Sequence, residues 1–294
     1  MKRKRRIGFV CFMVICLMAA CAFAHGHGHG HNVEKKVGIL LVAFGSSEAS
    51  AQISFENIDQ YVKKTFPDIP VRWAFTSHII RHKLAGQGRE IDSPLVALGK
   101  MADEQFTHVA VQSLHTIAGA EFHDLRREIG GFKVMGAFQQ IIMGNPMMAT
   151  QEDMEKTLDA VFQVIPKRRK AKEAVVLMGH GTHHPANAFY GALMFQIQLR
   201  DPNVFVGTVE GYPEIGFITT QLKNKGINRA YLMPMMSVAG DHAKNDMAGP
   251  EKDSWKSILT DAGIDCQVVL KGTAEYNPFI QIWTDHLKDV LAHF

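Results

Sequence analysis

Residues 37–47 read VGILLVAFGSS, and residues 173–184 read EAVVLMGHGTHH. Each is a short unbroken run of Val, Ile, Leu and Met that ends at a Gly beside small or polar residues. A run of this kind is a strand buried on both faces, as in a parallel sheet. Working outward, similar runs fall at 70–75, 108–113 and 132–137 after the first, and at 203–209, 229–235 and 265–270 after the second. Amphipathic stretches separate them at 48–65, 92–105, 119–129, 152–165, 186–200, 214–225, 251–262 and 276–292. Strands alternating with helices make an α/β protein with helices on both faces of each sheet. The halves also echo each other in order: 108–124 matches 229–246 around Ala118-Gly119 and Ala239-Gly240. The expected architecture is therefore two similar α/β halves, 37–150 and 151–274, each a mainly parallel sheet with helices on both faces. The basic stretch 167–172 after Pro166 reads as the solvated linker between them.

The composition of the 294 residues, 46% hydrophobic and 21% charged, is that of a folded globular chain. Five of the 32 basic residues (Lys2, Arg3, Lys4, Arg5, Arg6) lie at the extreme N-terminus, which leaves 27 against 29 acidic and a net of −2. A nearly neutral body excludes a nucleic-acid binder that works by charge. Residues 1–24 join that basic stretch to an apolar run ending in Ala22-Phe23-Ala24, the pattern of a secretory signal peptide. The expectation is export to the periplasm with cleavage near Ala24 and no stable membrane partner afterwards. Cleavage removes Cys11, Cys16 and Cys21 and leaves Cys266 alone, so no internal disulfide forms. Residues 25–36 open with His25, His27, His29 and His31 alternating with Gly, a flexible metal-collecting composition.

In open parallel sheets, ligands sit beyond the carboxyl ends of the strands. Three chemically capable residues fall there in the second half. His180 ends the run AVVLM between Gly179 and Gly181, Glu210 ends VFVGTV, and His242 follows AYLMPM. Two imidazoles and a carboxylate form a divalent-metal set with free coordination positions. Phe44 stands in the first half where His180 stands in the second. Asp241, Asn245 and Asp246 are placed to orient His242 or to cap its loop.

The segments GILLVAFGSS (38–47), FTSHIIRHKL (75–84), QSLHTIAGAEFHDL (112–125), GHGTHHPANAFY (179–190), VGTVEGYP (206–213) and LMPMMSVAGDHAKNDMAGPEKDSW (232–255) together resemble the anaerobic sirohydrochlorin cobaltochelatases of the CbiK type. The resemblance runs through 37–294. It implies a class II chelatase fold, two flavodoxin-like halves with a tetrapyrrole cleft between them, and a C-terminal helix (275–294) packed on the first half. It also implies that His180, Glu210 and His242 are the metal ligands. Insertion needs no ATP if the macrocycle is bent so that its nitrogens face the metal, and His180, to which its Gly neighbours give reach, is the expected acceptor of pyrrole protons, with Glu210 sharing the role. Cobalt is the expected metal substrate; iron, nickel and zinc suit the same donors, and haem is not excluded. A macrocycle rich in carboxylates calls for cations and apolar walls in the cleft, for which Arg81, Lys83, Phe44 and Tyr190 are the candidates. His123 and His115 are candidates for a second metal or a haem iron. The expected partners are the tetrapyrrole and the ion, and a homo-oligomer is compatible with the sequence.

Two other readings stand beside this one. Export, the His-Gly tract and two lobes also suit a periplasmic metal-binding or metal-delivery protein. A zinc hydrolase is the third reading, and it lacks a candidate nucleophile or an H-E-x-x-H pair.

Overall fold

The computed structural model describes residues 34–294. The expected leader and the His-Gly residues 25–33 lie outside the described residues. Strand β1 (Val37–Ala43) pairs in parallel with β2 (Val71–Phe75) on one side and β3 (His108–Ser113) on the other, and β3 pairs with β4 (Gln140–Gly144). The second sheet repeats this with β5 (Ala174–Gly181) between β6 (Val204–Glu210) and β7 (Arg229–Pro234), and β8 (Asp265–Val268) beyond β7. The orders β2-β1-β3-β4 and β6-β5-β7-β8 are the same arrangement twice. Central strands show why the unbroken apolar pattern was needed: Ile39, Leu40, Leu41 and Val42 are all fully buried, and so are Val175 and Val176.

The first half carries α1 (Gln52–Thr65), α2 (His78–Gly86), α3 (Pro94–Asp103) and α4 (Ala120–Met135); α5 (Gln151–Val164) leads into the second. Then come α6 (Ala188–Arg200), α7 (Ile215–Asn224), α8 (Trp255–Asp261) and the C-terminal α9 (Asn277–Leu291). Side chains set several starts. Ser77 accepts from the Ile80 N–H, Ser93 accepts from the Val96 N–H just before Pro94, and Thr150 and Asp153 form a reciprocal capping box. Helix α2 was not foreseen; its run HIIRHKLAG has a short apolar stripe, and only Leu84 is fully buried.

One strand differs from the sequence reading. Residues 132–137 do not form the fourth strand; they end α4, which stops at Gly136 with a left-handed φ of 64°. Val134 and Met135 project from that last turn with 91% and 67% of their surface exposed, which no central strand permits. The run 140–144 supplies the strand instead, where Ile141 is buried against the sheet. The cue to this was the αL-tolerant Gly136, which closes a helix of 16 residues.

Helix α9 folds back over β3, β4 and α5 and turns one apolar stripe to them. Phe279, Ile280, Trp283, Leu287 and Val290 are all buried on that stripe, and removing a side chain like Trp283 costs about 3–5 kcal/mol. The Trp283 indole N–H donates to the His115 carbonyl at 3.2 Å, so α9 also supports the loop after β3. Behind it, His286 bonds Asp153 at 2.7 Å and the Asn145 carbonyl at 3.1 Å, which ties α9 to the start of α5.

Candidate metal centre and cleft

The carboxyl ends of both sheets face one cavity of about 510 Å³, lined from the first half by Phe44, Lys83, His115 and Glu121 among others and from the second by His180, Glu210 and His242. The three second-half side chains arrive there for local reasons. Strand β5 continues through His180 to Gly181, which pairs with Glu210 at the end of β6. Gly181 has φ +81°, and a Cβ on it would lie 1.8 Å from the Glu210 carbonyl oxygen. Only glycine lets the two strand ends approach this closely. Gly179 is constrained from below, since a Cβ there would lie 2.4 Å from the Tyr190 ring. Tyr190 is itself fully enclosed; burial pushes its phenol up to about 12, against hydrogen bonds with the Gly181 and His180 backbone and Thr116. His242 sits just ahead of a π-helical turn, Ala243–Met247, a backbone form enriched at functional sites.

The His180 and His242 rings meet nearly at right angles with centroids 4.7 Å apart. Two imidazoles on one ion at about 2.1 Å, spread by roughly 90–110°, hold their centroids about 4.5–5.2 Å apart. The hydrogen bonds also fix which nitrogen is available. His180 Nδ1 donates to the Gly181 carbonyl at 3.0 Å, and His242 Nδ1 donates to the Asp246 carboxylate. Both protons therefore lie on Nδ1, and both Nε2 lone pairs are left for an ion, the arrangement in which metal-binding histidines are oriented by a neighbouring oxygen. Glu210 lines the same cavity but is exposed at its margin. Among the described residues no group of three His, Cys, Asp or Glu side chains is already gathered closely enough to hold an ion.

The other sequence-derived candidates divide. Phe44 (44% exposed), Lys83 and Tyr190 line the cavity, and so does Met236. Arg81 does not: its guanidinium donates to the carbonyls of Phe75 and Thr76 at 2.6 and 2.8 Å and closes the end of β2. His115 lies in the cavity wall with Nδ1 against Ser113 Oγ at 2.8 Å and Nε2 against Glu121 at 3.4 Å. His123 is outside this cavity, on α4, with its ring 5.0 Å from that of His184.

Two features of the cleft were not read from the sequence. Glu121 accepts from Thr76 Oγ1 at 2.9 Å and from His115, and lines the same cavity as His180 and His242. Burial alone would raise its carboxyl, but His115 and Thr76, with a smaller contribution from His180, outweigh it and hold it below the usual range. The second feature is an ion pair between Lys244, two residues beyond His242, and Glu48 of the first half. Nothing local marks either residue; the Glu121 signal was its place in the first turn of α4, beside the third strand end.

Comparison with known proteins places this geometry. The family model for cobalt chelatase (CbiK) matches residues 37–292. A sirohydrochlorin cobaltochelatase, CbiKC, of Nitratidesulfovibrio vulgaris is 46% identical over 252 residues, covering 86% of this chain and 89% of that protein. The sirohydrochlorin cobaltochelatase of Salmonella typhimurium is 36% identical over 259 residues, covering 87% and 97%. Among solved structures, SirB of Bacillus subtilis with Fe3+ superposes with a TM-score of 0.62 at 17% identity, covering 88% and 96%. CbiX, described as the terminal enzyme of sirohaem biosynthesis in denitrifying bacteria, gives 0.55 at 14%, covering 87% and 99%. These last two likenesses concern the fold.

Proposed function

The chain belongs to the cobalt chelatase (CbiK) family, and from that premise we propose that it inserts divalent cobalt into sirohydrochlorin without ATP. Iron is a second substrate metal in this reading, supported by the structure of SirB with Fe3+. The observation that carries the proposal is the His180–His242 pair, with rings 4.7 Å apart and both Nδ1 protons committed to oxygen. Glu210 completes the set by turning its side chain in from the cavity margin.

The reaction joins M2+ to a tetrapyrrole carrying two N–H groups and gives the metallated ring and two protons. An ion held by His180, Glu210 and His242 has positions left for pyrrole nitrogens, so each protein–metal bond is exchanged for a metal–nitrogen bond. As the ion leaves His180, the Nε2 lone pair that held it becomes free to take a pyrrole proton. Glu210 shares that duty. Glu121, on the opposite wall with His115 behind it, keeps a negative charge facing the place where the protons are released. Phe44 and Met236 give the macrocycle apolar contact, and Lys83 offers a cation to its carboxylates.

The N-terminal pattern of basic residues, apolar run and Ala22-Phe23-Ala24 supports export, so the setting proposed is the periplasm. The test of function is an absorbance time course of full-length or leader-cleaved protein with sirohydrochlorin and cobalt. Conversion to the cobalt macrocycle at a rate that scales with enzyme is expected. Retention of cobalt without spectral conversion would replace the chelatase by the metal-delivery reading.

A further inference from the structure

A second histidine pair lies just outside the cleft, and its chemistry differs from the first. His123 on α4 and His184 on the loop after β5 come from opposite halves and hold their rings 5.0 Å apart. With Ala120, Asp124, Arg126 and Arg127 they line a shallow pocket of about 700 Å³. This pocket adjoins the catalytic cavity: Ala120 lines both, and Thr182 and His183, which precede His184, line the cavity.

We propose that this pocket receives a carboxylate from the edge of the tetrapyrrole while the ring occupies the cavity. The inference rests on the tetrapyrrole reading above. His184 Nδ1 accepts the Ala186 N–H at 3.1 Å, so the ring proton is on Nε2. That nitrogen is a hydrogen-bond donor and lacks the lone pair an ion needs, the reverse of His180 and His242. A ring so arranged suits an anion. Arg126 is exposed and, among the described residues, has no carboxylate partner. The single carboxylate of the pocket, Asp124, is already bonded to Arg127. His123 lies in the first turn of α4, whose positive end favours negative charge. A macrocycle with carboxylates around its edge, seated in a cavity that opens on this pocket, presents one of them to these donors.

The test uses Arg126→Gln, Arg126→Glu and His184→Ala in the full chain. Metal-free sirohydrochlorin is titrated by its absorbance, cobalt by calorimetry, and steady-state kinetics are run at saturating cobalt. The expected result is a rise in KM and in tetrapyrrole Kd of about threefold for Arg126→Gln and about tenfold for Arg126→Glu and His184→Ala, with kcat and cobalt affinity as in the parent. Added salt should raise KM less steeply in Arg126→Gln than in the parent. Because His184 caps the turn at residues 185–187, the exposed Arg126 variants decide if His184→Ala loses structure. Unchanged tetrapyrrole affinity in both Arg126 variants overturns the proposal, and so does lost cobalt affinity in them. Parent protein that binds sirohydrochlorin without metallating it would refute the chelatase reading alone, since the binding comparison would still stand; parent protein that binds no tetrapyrrole would refute both.

Discussion

The two halves share one strand order and differ at one end of it. In the second half, β5 ends in Gly179-His180-Gly181 and β6 ends in Glu210, while in the first, β1 ends in front of Phe44-Gly45-Ser46 and β2 ends in front of Thr76-Ser77. Gly45 keeps the left-handed turn with φ +102°, as Gly181 does with +81°, so the backbone device is common to both. What changed is the side chain beside it. In the proposed reaction one half offers an imidazole to the ion, and the other offers a phenyl ring to the macrocycle. A tetrapyrrole and an ion must meet in one cleft, and an asymmetric pair of strand ends presents a different surface to each.

This contrast is most directly broken at His180. Changing it to Ala removes the proposed metal ligand and proton acceptor together, and kcat/KM for cobalt insertion should fall about a hundredfold or more. The initial-rate assay with sirohydrochlorin checks it, and a parent-like rate would remove His180 from the mechanism. Asp246→Asn tests the next layer, because the carboxylate that orients His242 is lost while the imidazole stays. Cobalt affinity should drop about tenfold to a hundredfold by calorimetry.

A third prediction concerns stability and not chemistry. Asp153 is buried beside His286; burial pushes its carboxyl up, but the bond to His286, the charge of His286 and the Thr150 contacts prevail and hold it below its ordinary value. A depressed carboxyl contributes stability that is fully present above its unfolded value and is lost as pH falls through the folded one. Acid unfolding of the parent should therefore steepen below about pH 4. Asp153→Asn should lose about 3 kcal/mol at neutral pH and show a weaker acid dependence. Urea unfolding at several pH values measures both. The smallest effect is expected of Phe44→His. This variant copies the second-half histidine onto the first half, where β2 ends without a Glu210 counterpart. Cobalt stoichiometry by calorimetry should stay at that of the parent, and a rise by one ion per chain would show that one side chain alone separates the halves.

The duplicated order of strands was legible because buried parallel strands are continuous apolar runs, and the strand-end rule then pointed to His180, Glu210 and His242. The expected fourth strand, 132–137, falls wholly ahead of the observed Gln140–Gly144, because FKVM is apolar enough for either state and only the exposure of Val134 and Met135 in the folded chain decides between them. Glu121 and the Lys244–Glu48 pair escaped for a different reason. The ion pair joins positions 196 residues apart, and its partners meet only after both sheets have formed and closed on each other. Tautomers were equally out of reach. That His180 and His242 expose a lone pair while His184 exposes a proton depends on the Gly181 carbonyl, the Asp246 carboxylate and the Ala186 N–H.

A crystal structure of the protein loaded with cobalt tests the central claim most directly. The ion should lie in the cleft at about 2.1 Å from Nε2 of both His180 and His242, with the Glu210 carboxylate turned inward onto it. Cobalt bound away from that pair, or held with Glu210 still turned to solvent, would contradict the account.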